Sequence, residues 1–477
     1  MDHRADTYIG GRWVESTGED VIAVIDPSTG QCVATVRESS TGDMDAAVAA
    51  AERARPVLRE MPPEERAALL DRVAEELEAR LGGMAELISS EMGMPRRHCA
   101  DYQVRTAIRT FRNTALAVRG MDFSERLGGS TVVREPVGVV AAMTPWNFPL
   151  LQTAAKLGPA LAAGCPVVLK PSEITPLDAC VLAEAVHAAG APPGALNVVF
   201  GNGLHVGEYM TRHPGTAMVS LTGSTRAGRR VAQLAAESIK RVTLELGGKS
   251  AAVVLPGGDL AAAVERSVRT VVINTGQTCT ALTRLLVPFE SLADAEQLVA
   301  AALARYRVGR SDDPAADVGP LASANQRHRV TDHLERALVD GARPIWAYPD
   351  EELPRSGFFA GPAAFAVSDP RIALAQQEVF GPVLAVIPYV GEDEAVAIAN
   401  GTPYGLAAAV WSADEDHALG VAARIEAGSI EINGAPFNGL APFGGYKQSG
   451  YGRELGAHGI AQFTELKAIQ TRAAGAR

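Results

Sequence analysis

The chain of 477 residues is poor in cysteine, and its cysteines form no recognisable framework. The five of them are widely spaced and include no CxxC pair: Cys32, Cys99, Cys165, Cys180 and Cys279. Disulfide-rich domains and zinc sites need sets of closely spaced cysteines. Both classes are therefore excluded, and we expect a protein of a reducing, cytoplasmic compartment without a metal site.

Long apolar runs and basic clusters are also missing. No run reaches the roughly 18 apolar residues that a membrane-spanning helix needs, and the start, MDHRADTYIG, lacks the pattern of a signal peptide. The net charge is −11, and lysine and arginine do not cluster. We therefore expect neither a nucleic acid nor a membrane as a partner.

Aromatic residues are scarce as well, at 5% of the chain, whereas alanine and glycine are abundant. Small side chains let helices approach sheets closely, which favours a layered α/β fold over a β-sandwich. The length exceeds what one hydrophobic core serves, so we expect two or three domains.

Short runs rich in valine alternate with helical patterns through most of the chain. The runs typical of buried parallel strands are VGVVAAMTPW, PVVLKPS, ALNVVFGNG, AMVSLTGS and SAAVVL. Residues 44–92 and the stretch TPLDACVLAEAVHAAG have helical spacing. The alternation predicts a doubly wound α/β sheet, in which ligands bind at the carboxyl ends of the strands.

A second series of strands and helices follows Cys279 and includes PVLAVIPYV, LAAAVW and GSIEING. We therefore expect a second α/β domain that begins near residue 248. Between helical units, FSERLGGSTVVREPVG is typical of a hairpin with a Gly-Gly turn.

Cys279 lies in the stretch NTGQTCTALTR, between two threonines. A free cysteine in such a setting is usually a buried apolar filler, whereas a nucleophile needs a depressed pKa and solvent access. A helix beginning after Cys279 would favour a thiolate through its N-terminal amides. The stretch alone leaves both interpretations open.

Glu245 ends an apolar run in VTLELGGKS and directly precedes a Gly-Gly turn. A carboxyl group in apolar company has a raised pKa and can act as a general base near neutrality. The alternative is a strand-end glutamate paired with a lysine or arginine. A phosphate loop is excluded, because Thr243 stands where that motif requires glycine.

Asn147 lies in MTPWNFPLLQTAAK, between Pro145 and Pro149. The prolines fix the backbone on both sides of Asn147. A side-chain amide held in this way can donate to a developing oxyanion. A rigid turn with a satisfied side chain fits the same residues.

Three further stretches place residues that could bind a nucleotide at predicted strand ends. FGNGLHVG contributes Gly201, Gly203 and Gly207, and LTGSTRAG contributes Gly223 and Ser224. Backbone amides at such turns meet phosphate or adenine groups. In LKPSE, Lys170 and Glu173 supply a cation and an acceptor for ribose hydroxyls.

Together these stretches resemble the aldehyde dehydrogenase superfamily along nearly the whole chain. The motifs that carry the resemblance follow the family's order: TPWNFP, VVLKPSE, FGNG, LTGST, LELGGKS, GQTC, QEVFGPV, NGTPYGLAA and PFGGYKQSGYGRELG. The spacing of Asn147, Glu245 and Cys279 is also similar to the family's. By this resemblance Cys279 is the nucleophile rather than a filler.

The resemblance implies a mechanism. The Cys279 thiolate attacks the aldehyde carbon, while Asn147 and the backbone N–H of Cys279 hold the oxyanion. Loss of hydride leaves a thioester, and Glu245 matches the base that activates water to release the carboxylic acid.

The resemblance also implies a cofactor site for NAD, with NADP as a further possibility. Glu173 would accept a hydrogen bond from a free 2′-hydroxyl and repel a 2′-phosphate, so NAD is preferred. The cofactor-binding residues implied are Thr144, Pro145, Trp146, Lys170, Ser172, Glu173, Gly203, Gly207, Gly223, Ser224, Leu246, Gly247, Glu378 and Phe380.

The substrate pocket departs from the family's small-aldehyde members. Ala155 stands where those members often carry a bulky aromatic residue, and Gln152 replaces a commonly apolar one. With Phe148, Phe437 and Phe443 as aromatic walls, we expect a wider, more polar pocket for a larger or functionalised aldehyde. Lys156 matches a lysine with either a proton-relay or a supporting role.

The implied architecture is a Rossmann-like cofactor domain, an α/β catalytic domain and a small bridging sheet for oligomerisation. Residues 1–117 and 137–247 would form the NAD-binding domain and 248–447 the catalytic domain. Residues 118–136 and 448–477 would form the bridging element of a homodimer or homotetramer. The tail AQFTELKAIQTR alternates as a half-buried strand should.

Three alternatives stay open. In a CoA-acylating member, CoA rather than water resolves the thioester, although such members generally lack the glutamate that Glu245 matches. A non-catalytic protein would have lost at least one of Cys279, Glu245 and Asn147. A cysteine hydrolase would turn over without NAD.

Overall fold

This computed structural model describes residues 6–471. The first five residues of the predicted NAD-binding domain and the last six of the predicted bridging element, 472–477, lie outside the described residues.

Between residues 6 and 471 the chain forms strands throughout its length. In chain order they are β1 (Asp6–Ile9), β2 (Arg12–Glu15), β3 (Val21–Asp26), β4 (Gln31–Arg37), β5 (Ser124–Leu127), β6 (Ser130–Pro136), β7 (Val140–Met143), β8 (Val167–Lys170), β9 (Leu196–Val198), β10 (Met218–Thr222), β11 (Arg241–Glu245), β12 (Ala251–Val254), β13 (Arg284–Pro288), β14 (Arg343–Ala347), β15 (Ala363–Ala366), β16 (Val383–Tyr389), β17 (Tyr404–Gly405), β18 (Ala407–Trp411), β19 (Ser429–Ile432), β20 (Tyr446–Lys447), β21 (Gly450–Tyr451) and β22 (Thr464–Gln470).

The α-helices lie between these strands. They are α1 (Thr41–Glu60), α2 (Pro63–Ala79), α3 (Leu81–Met92), α4 (Arg96–Cys99), α5 (Arg105–Arg119), α6 (Pro149–Ala163), α7 (Asp178–Ala188), α8 (Glu208–Arg212), α9 (Thr225–Ala236), α10 (Leu260–Val272), α11 (Leu292–Leu303), α12 (Ala324–Val339), α13 (Ala373–Gln376), α14 (Glu392–Asn400), α15 (Glu415–Ala422) and α16 (Gly456–Gln462). Short π-helical and 3₁₀ segments interrupt them at Ala100–Val104, Gly203–Gly207, Ile273–Gly276, Phe289–Ser291 and Asp350–Glu352.

The first large sheet has eight strands in the order β2-β1-β9-β8-β7-β10-β11-β21. Its central strands β9, β8, β7, β10 and β11 are parallel, and antiparallel strands extend both edges. The second large sheet has seven strands in the order β14-β15-β16-β13-β12-β18-β19, parallel except at β14.

Helices cover both faces of each large sheet. In β7, Val140 and Ala142 pack into the core shared with α2, α5, α6 and α7, whereas Ala141 and Met143 face α1 and α8. In the second sheet, alternate residues of β12 divide in the same way between α12–α15 on one face and α10–α11 on the other. Successive strand side chains point to opposite faces, so both faces need apolar cover. The predicted doubly wound α/β fold is confirmed.

A three-stranded sheet, β22-β6-β5, stands apart from the two large ones. The predicted hairpin is present, because Leu127 pairs with Ser130 across Gly128 and Gly129. The predicted strand in the tail is β22, but it is not half-buried. Only its first residue, Thr464, is buried in the single chain, because β22 is an edge strand with β6 on one side only.

The crossing from the first large sheet to the second lies between β11, which ends at Glu245, and β12, which begins at Ala251. The later segment Gly450–Tyr451 returns to the first sheet and pairs with Leu244 and Glu245. The division into three domains stays a prediction, and the strand pairings are compatible with its main boundary near residue 248.

Candidate active site

Cys279 lies in the loop between α10 and β13, a strand of the second large sheet. The expected helix after Cys279 is absent: the chain leaves the 3₁₀ turn Ile273–Gly276 and enters strand β13 at Arg284. Asn274, Thr275 and Gly276 have left-handed backbone angles, with φ of 53°, 55° and 71°, and they reverse the chain before Cys279. Among the described residues no helix directly follows Cys279, so the N-terminal amides that could have favoured a thiolate are not there.

The charge environment of Cys279 also differs from the expected one. Burial and, after it, the carboxyl groups of Glu378 and Glu245 together raise the pKa of the Cys279 thiol to about 12. A thiol with that pKa is protonated at neutral pH. The resting group at residue 279 is therefore a thiol.

Two glycines permit close approach around this loop. A Cβ at Gly248 would lie 2.6 Å from the carbonyl oxygen of Cys279, and one at Gly276 would lie 2.2 Å from Gly381. No side chain fits at either position. The loop of Cys279 is therefore pressed between the turn after β11 and the turn before β16.

Asn147 is brought to the same loop. Its side-chain Nδ2 donates to the carbonyl of Gln277 over 2.9 Å, and its own carbonyl accepts from Asn274 Nδ2 over 2.8 Å. Asn147 is buried, and its amide carries a second N–H that the Gln277 bond does not use. An amide held this way can donate to a negative charge that develops on an oxygen atom nearby.

Glu245 ends β11 with its carboxyl group inside the protein. Burial raises its pKa well above the ordinary value, and the neighbouring Glu454 raises it further. Its Oε2 has no hydrogen-bond partner among residues 6–471. Among the described residues Glu245 forms no ion pair with a lysine or arginine, which was the alternative interpretation. Its raised pKa agrees with the sequence prediction.

Glu454, a residue that the sequence reasoning missed, lies near Glu245. Lys156 Nζ lies 2.5 Å from Glu454 Oε1, and both side chains are buried. The signal was present in the sequence, because a lysine in the apolar run LLQTAAKLGPALAA needs a buried counter-charge. The partner itself, 298 residues away, was not identifiable from spacing.

The predicted cofactor residues gather at the carboxyl ends of the first sheet's strands. Lys170, at the end of β8, donates to the carbonyls of Pro171 and Gly201 and lies 3.4 Å from Glu173 Oε2. Ser224 caps α9 and is exposed with Gly203, whereas Gly207, Leu246, Thr144 and Ser172 are buried.

Glu378 and Phe380 come from the second sheet and reach the same edge. Glu378 Oε1 accepts from the N–H of Gly248 over 3.0 Å, and a Cβ at Gly247 would lie 2.2 Å from Glu378 Oε2. Phe380 has a left-handed φ of 57°, and its ring meets Trp146 edge-on at 5.3 Å between centroids. Both large sheets therefore contribute to one cleft.

The residues at this cleft fit a dinucleotide. Thr222 Oγ1, at the carboxyl end of β10, is buried without a partner in the described residues, which leaves it for a ligand. The first amides of α9 follow at Gly223 and Ser224, where a pyrophosphate is favoured.

Comparison with known proteins finds matches to one family along nearly the whole chain. The sequence model of the aldehyde dehydrogenase family matches residues 13–469. The chain is 42% identical to 3-succinoylsemialdehyde-pyridine dehydrogenase of a Pseudomonas species, over 98% of both chains. A variant of aldehyde dehydrogenase C of Pseudomonas syringae, solved with NAD⁺ and octanal, superimposes with a TM-score of 0.95 at 43% identity, over 98% of this chain and 96% of that one.

A Mycobacterium tuberculosis aldehyde dehydrogenase solved with NAD⁺ also superimposes with a TM-score of 0.95, at 40% identity over 99% of each chain. The chain belongs to the aldehyde dehydrogenase family. Membership makes it an NAD-dependent aldehyde dehydrogenase, which confirms the reaction class and the fold that the motifs imply.

Within this aldehyde dehydrogenase, the predicted substrate-pocket residues come from two segments. Phe148, Gln152 and Ala155 lie on successive turns at the start of α6. Phe437 and Phe443 lie after β19, with ring centroids 6.1 Å apart. Phe443 exchanges backbone hydrogen bonds with Glu454, which ties the second segment to Lys156 on α6.

Gln152 is the polar feature of that set. Its side chain is buried, and its Oε1 has no hydrogen-bond partner among residues 6–471. Phe437, by contrast, is 63% exposed.

None of the helices within residues 6–471 of this aldehyde dehydrogenase is long and apolar enough to cross a membrane.

Proposed function

We propose that this enzyme oxidises an aldehyde to its carboxylic acid with NAD⁺ and water, through a covalent intermediate on Cys279. The overall reaction consumes one aldehyde, one NAD⁺ and one water, and yields one acid, one NADH and one proton. The observation that carries the proposal is the convergence of Cys279, Asn147 and Glu245, with Glu245 buried and its Oε2 unpaired.

The first step joins Cys279 Sγ to the aldehyde carbon. Since the thiol is protonated at rest, its proton must leave as the S–C bond forms, and this is the one proton that the overall reaction releases to solvent. The carbonyl electron pair moves to oxygen. Asn147 Nδ2 and the backbone N–H of Cys279 would donate to that oxyanion, which is why attack becomes favourable.

NAD⁺, when bound, supplies the acceptor for the hydride that the resulting thiohemiacetal carbon releases. Lys170, Ser172 and Glu173 would hold the adenosine ribose, with Gly203 and Gly207 beside the adenine and Gly223 and Ser224 at the pyrophosphate. Thr144, Pro145, Trp146, Leu246, Gly247, Glu378 and Phe380 would surround the nicotinamide end.

Glu245 then removes a proton from water, and the hydroxyl attacks the thioester carbon. The S–C bond breaks, Glu245 returns the proton to the departing sulfur of Cys279, and the carboxylic acid is released. A carboxyl group with a raised pKa suits this transfer, because its basicity approaches that needed near neutral pH. Water rather than CoA is the proposed acceptor because Glu245 is present and free to act on it.

We propose NAD rather than NADP as the preferred cofactor. Glu173 is only half-buried, and its carboxylate lies at the ribose end of the cleft beside Lys170. It would accept from a 2′-hydroxyl and repel a 2′-phosphate. The relatives solved with NAD⁺ support NAD binding, and the preference over NADP rests on Glu173.

The proposed substrate is a larger or functionalised aldehyde. Ala155 leaves room beside Phe148, and the unpaired amide oxygen of Gln152 offers an acceptor. One relative is named for a pyridine-bearing semialdehyde and another was solved with octanal, and both compounds are larger than acetaldehyde. A cytoplasmic homodimer or homotetramer, assembled through residues 118–136 and 448–477, is the proposed form of the enzyme.

NADH formation at 340 nm across a panel of aldehydes tests these proposals, with NAD or NADP and with or without CoA. We expect turnover with NAD alone, abolished by Cys279→Ser, and a higher kcat/KM for bulky aldehydes than for acetaldehyde. Ala155→Trp should reverse that order while sparing acetaldehyde. Turnover only with CoA would overturn the role of Glu245, and equal kcat/KM for acetaldehyde and a bulky aromatic aldehyde would overturn the pocket.

A further inference from the structure

We propose that Gln103 is a positioning residue for Asn147, an inference that rests on the proposed role of Asn147 as the oxyanion donor. Gln103 touches neither Cys279 nor the cofactor cleft in any contact of the described residues. It acts by holding the backbone carbonyl of Asn147 in place.

Gln103 belongs to an irregular turn. Between α4 and α5, residues Ala100–Val104 form a single π-helical turn. Such turns are rare, cost hydrogen-bond geometry and occur frequently at functional sites. The turn makes Gln103 fully buried, with its side chain directed into the protein.

The contact of Gln103 is with the catalytic loop. Gln103 Nε2 donates to the carbonyl oxygen of Asn147 over 3.0 Å, and Asn274 Nδ2 donates to the same oxygen over 2.8 Å. Two amides from separate parts of the chain thus fix one peptide group. Because that peptide group carries the Cα of Asn147, fixing it fixes the direction of the side-chain amide.

The hydrogen bonding of the Gln103 side chain is not what the stability of the fold alone would favour. Its Oε1 is buried without a hydrogen-bond partner among residues 6–471, and so is Oδ1 of Asn274. The other neighbour of Gln103 Nε2 is Met92 Sδ at 3.6 Å, a weak acceptor. An unpaired buried oxygen destabilises a fold, and an apolar side chain of the same shape would not. The amide therefore serves the position of Asn147.

Gln103→Met tests this inference, because methionine has a similar length and packs beside Met92 without a donor. We expect kcat to fall about 10- to 100-fold, since a small misplacement of a catalytic group has effects of that size. The dissociation constant for NAD should stay unchanged, and the melting temperature should stay level or rise. The primary isotope effect with a deuterated aldehyde should increase as hydride transfer becomes slow.

Thr114→Val is the matched control. Thr114 is a buried polar residue of α5 whose hydroxyl donates only to the carbonyl of Thr110, one turn earlier in the same helix. This control should leave kcat and the isotope effect unchanged. Gln103→Leu, which also lacks a donor, should reproduce the kinetics of Gln103→Met and guards against a packing fault of one variant.

The double variant with Asn147→Ala separates the two proposals. Asn147→Ala alone should lower the rate about 100- to 1000-fold, and Gln103→Met should add no further loss in that background. If Asn147→Ala keeps the normal rate, the proposed oxyanion role fails. Two outcomes would overturn only the role of Gln103, provided that Asn147→Ala itself lowers the rate. In the first, Gln103→Met alone leaves the rate unchanged. In the second, Gln103→Met lowers the rate of the Asn147→Ala variant further.

Discussion

The carboxyl group of Glu245 lies against the backbone of Gly444, so closely that a Cβ at residue 444 would be 2.6 Å from Glu245 Oε1. Gly444 comes from the segment that follows β19, and its φ of 154° lies at the edge of the region that favours glycine. The position of Glu245 is therefore set by a residue nearly 200 positions later in the chain.

Gly444→Ala should impair hydrolysis of the thioester more than its formation. The new methyl group would displace the carboxyl group of Glu245, while Cys279 and Asn147 keep their contacts. Rapid-mixing measurements at 340 nm should show a retained burst of NADH followed by slow turnover. Gly420→Ala, where a Cβ meets nothing within 4 Å, is the control and should behave as the wild type.

Glu245→Gln should lower steady-state turnover about 100- to 10,000-fold, the usual contribution of a general base. In the wild type, kcat should fall as the pH is lowered through the raised pKa of Glu245, because protonation removes the base. The variant should lose this pH dependence. A pH profile that is identical in both proteins would contradict the role of Glu245.

Alkylation of Cys279 in the cofactor-free enzyme should be slow at neutral pH. Its pKa of about 12 leaves little thiolate, and the rate with iodoacetamide should rise about tenfold per pH unit between pH 7 and 10. Glu378→Gln should speed the reaction, because Glu378 is the first charge that raises this pKa. Peptide mapping by mass spectrometry distinguishes Cys279 from the exposed Cys32, and a pH-independent rate at Cys279 would contradict the prediction.

The contribution of Asp178 to the stability of the enzyme should fall as the pH rises from about 4 to about 7. Asp178 is fully buried beside Glu91, Cys180 and Glu184, both of its carboxyl oxygens lack partners in the described chain, and burial raises its pKa to about 7. The folded state prefers the neutral acid, so this stabilisation is complete below the unfolded pKa near 4 and is lost as the pH rises through 7. Glu91, whose pKa is raised by burial and by Asp178, contributes in the same direction.

Asp178→Asn tests this dependence by scanning calorimetry. The variant should melt at a higher temperature than the wild type at pH 8 and at a similar temperature at pH 4. An equal difference at both pH values would show that packing, and not titration, separates the two proteins.

Glu173→Gln should relax the choice of cofactor. Removal of the carboxylate charge should raise kcat/KM for NADP relative to that for NAD about tenfold, by relieving repulsion of the 2′-phosphate. Glu60→Gln, at an exposed position at the end of α1, is the charge-matched control. An unchanged ratio in Glu173→Gln would remove Glu173 from the cofactor selection.

Most of the fold was accessible from the sequence because local patterns determine it. The apolar runs that became β7, β8 and β10 are bounded by glycine, serine or proline, and the strand ends carried the polar residues that gather at the cleft. The raised pKa of Glu245 could also be predicted from the sequence, because burial at the end of an apolar strand disfavours the charged form of a carboxyl group.

The rest depends on contacts between distant parts of the chain. The sequence left a helix after Cys279 possible, whereas the left-handed backbone of Asn274 and Thr275 in this loop depends on the amides that surround it. Glu454 and Gln103 were missed for the same reason: each acts on a residue that only tertiary folding brings near.

The return of Gly450–Tyr451 to pair with Leu244 and Glu245 has a consequence for biosynthesis. A chain growing on the ribosome completes β11 long before it contains Gly444 or Glu454. Until then Lys156 lacks its counter-charge and the carboxyl group of Glu245 lacks its backing. On the proposed mechanism, truncated products that end before residue 444 would carry the Cys279 thiol without the backing that positions Glu245 to release the acid.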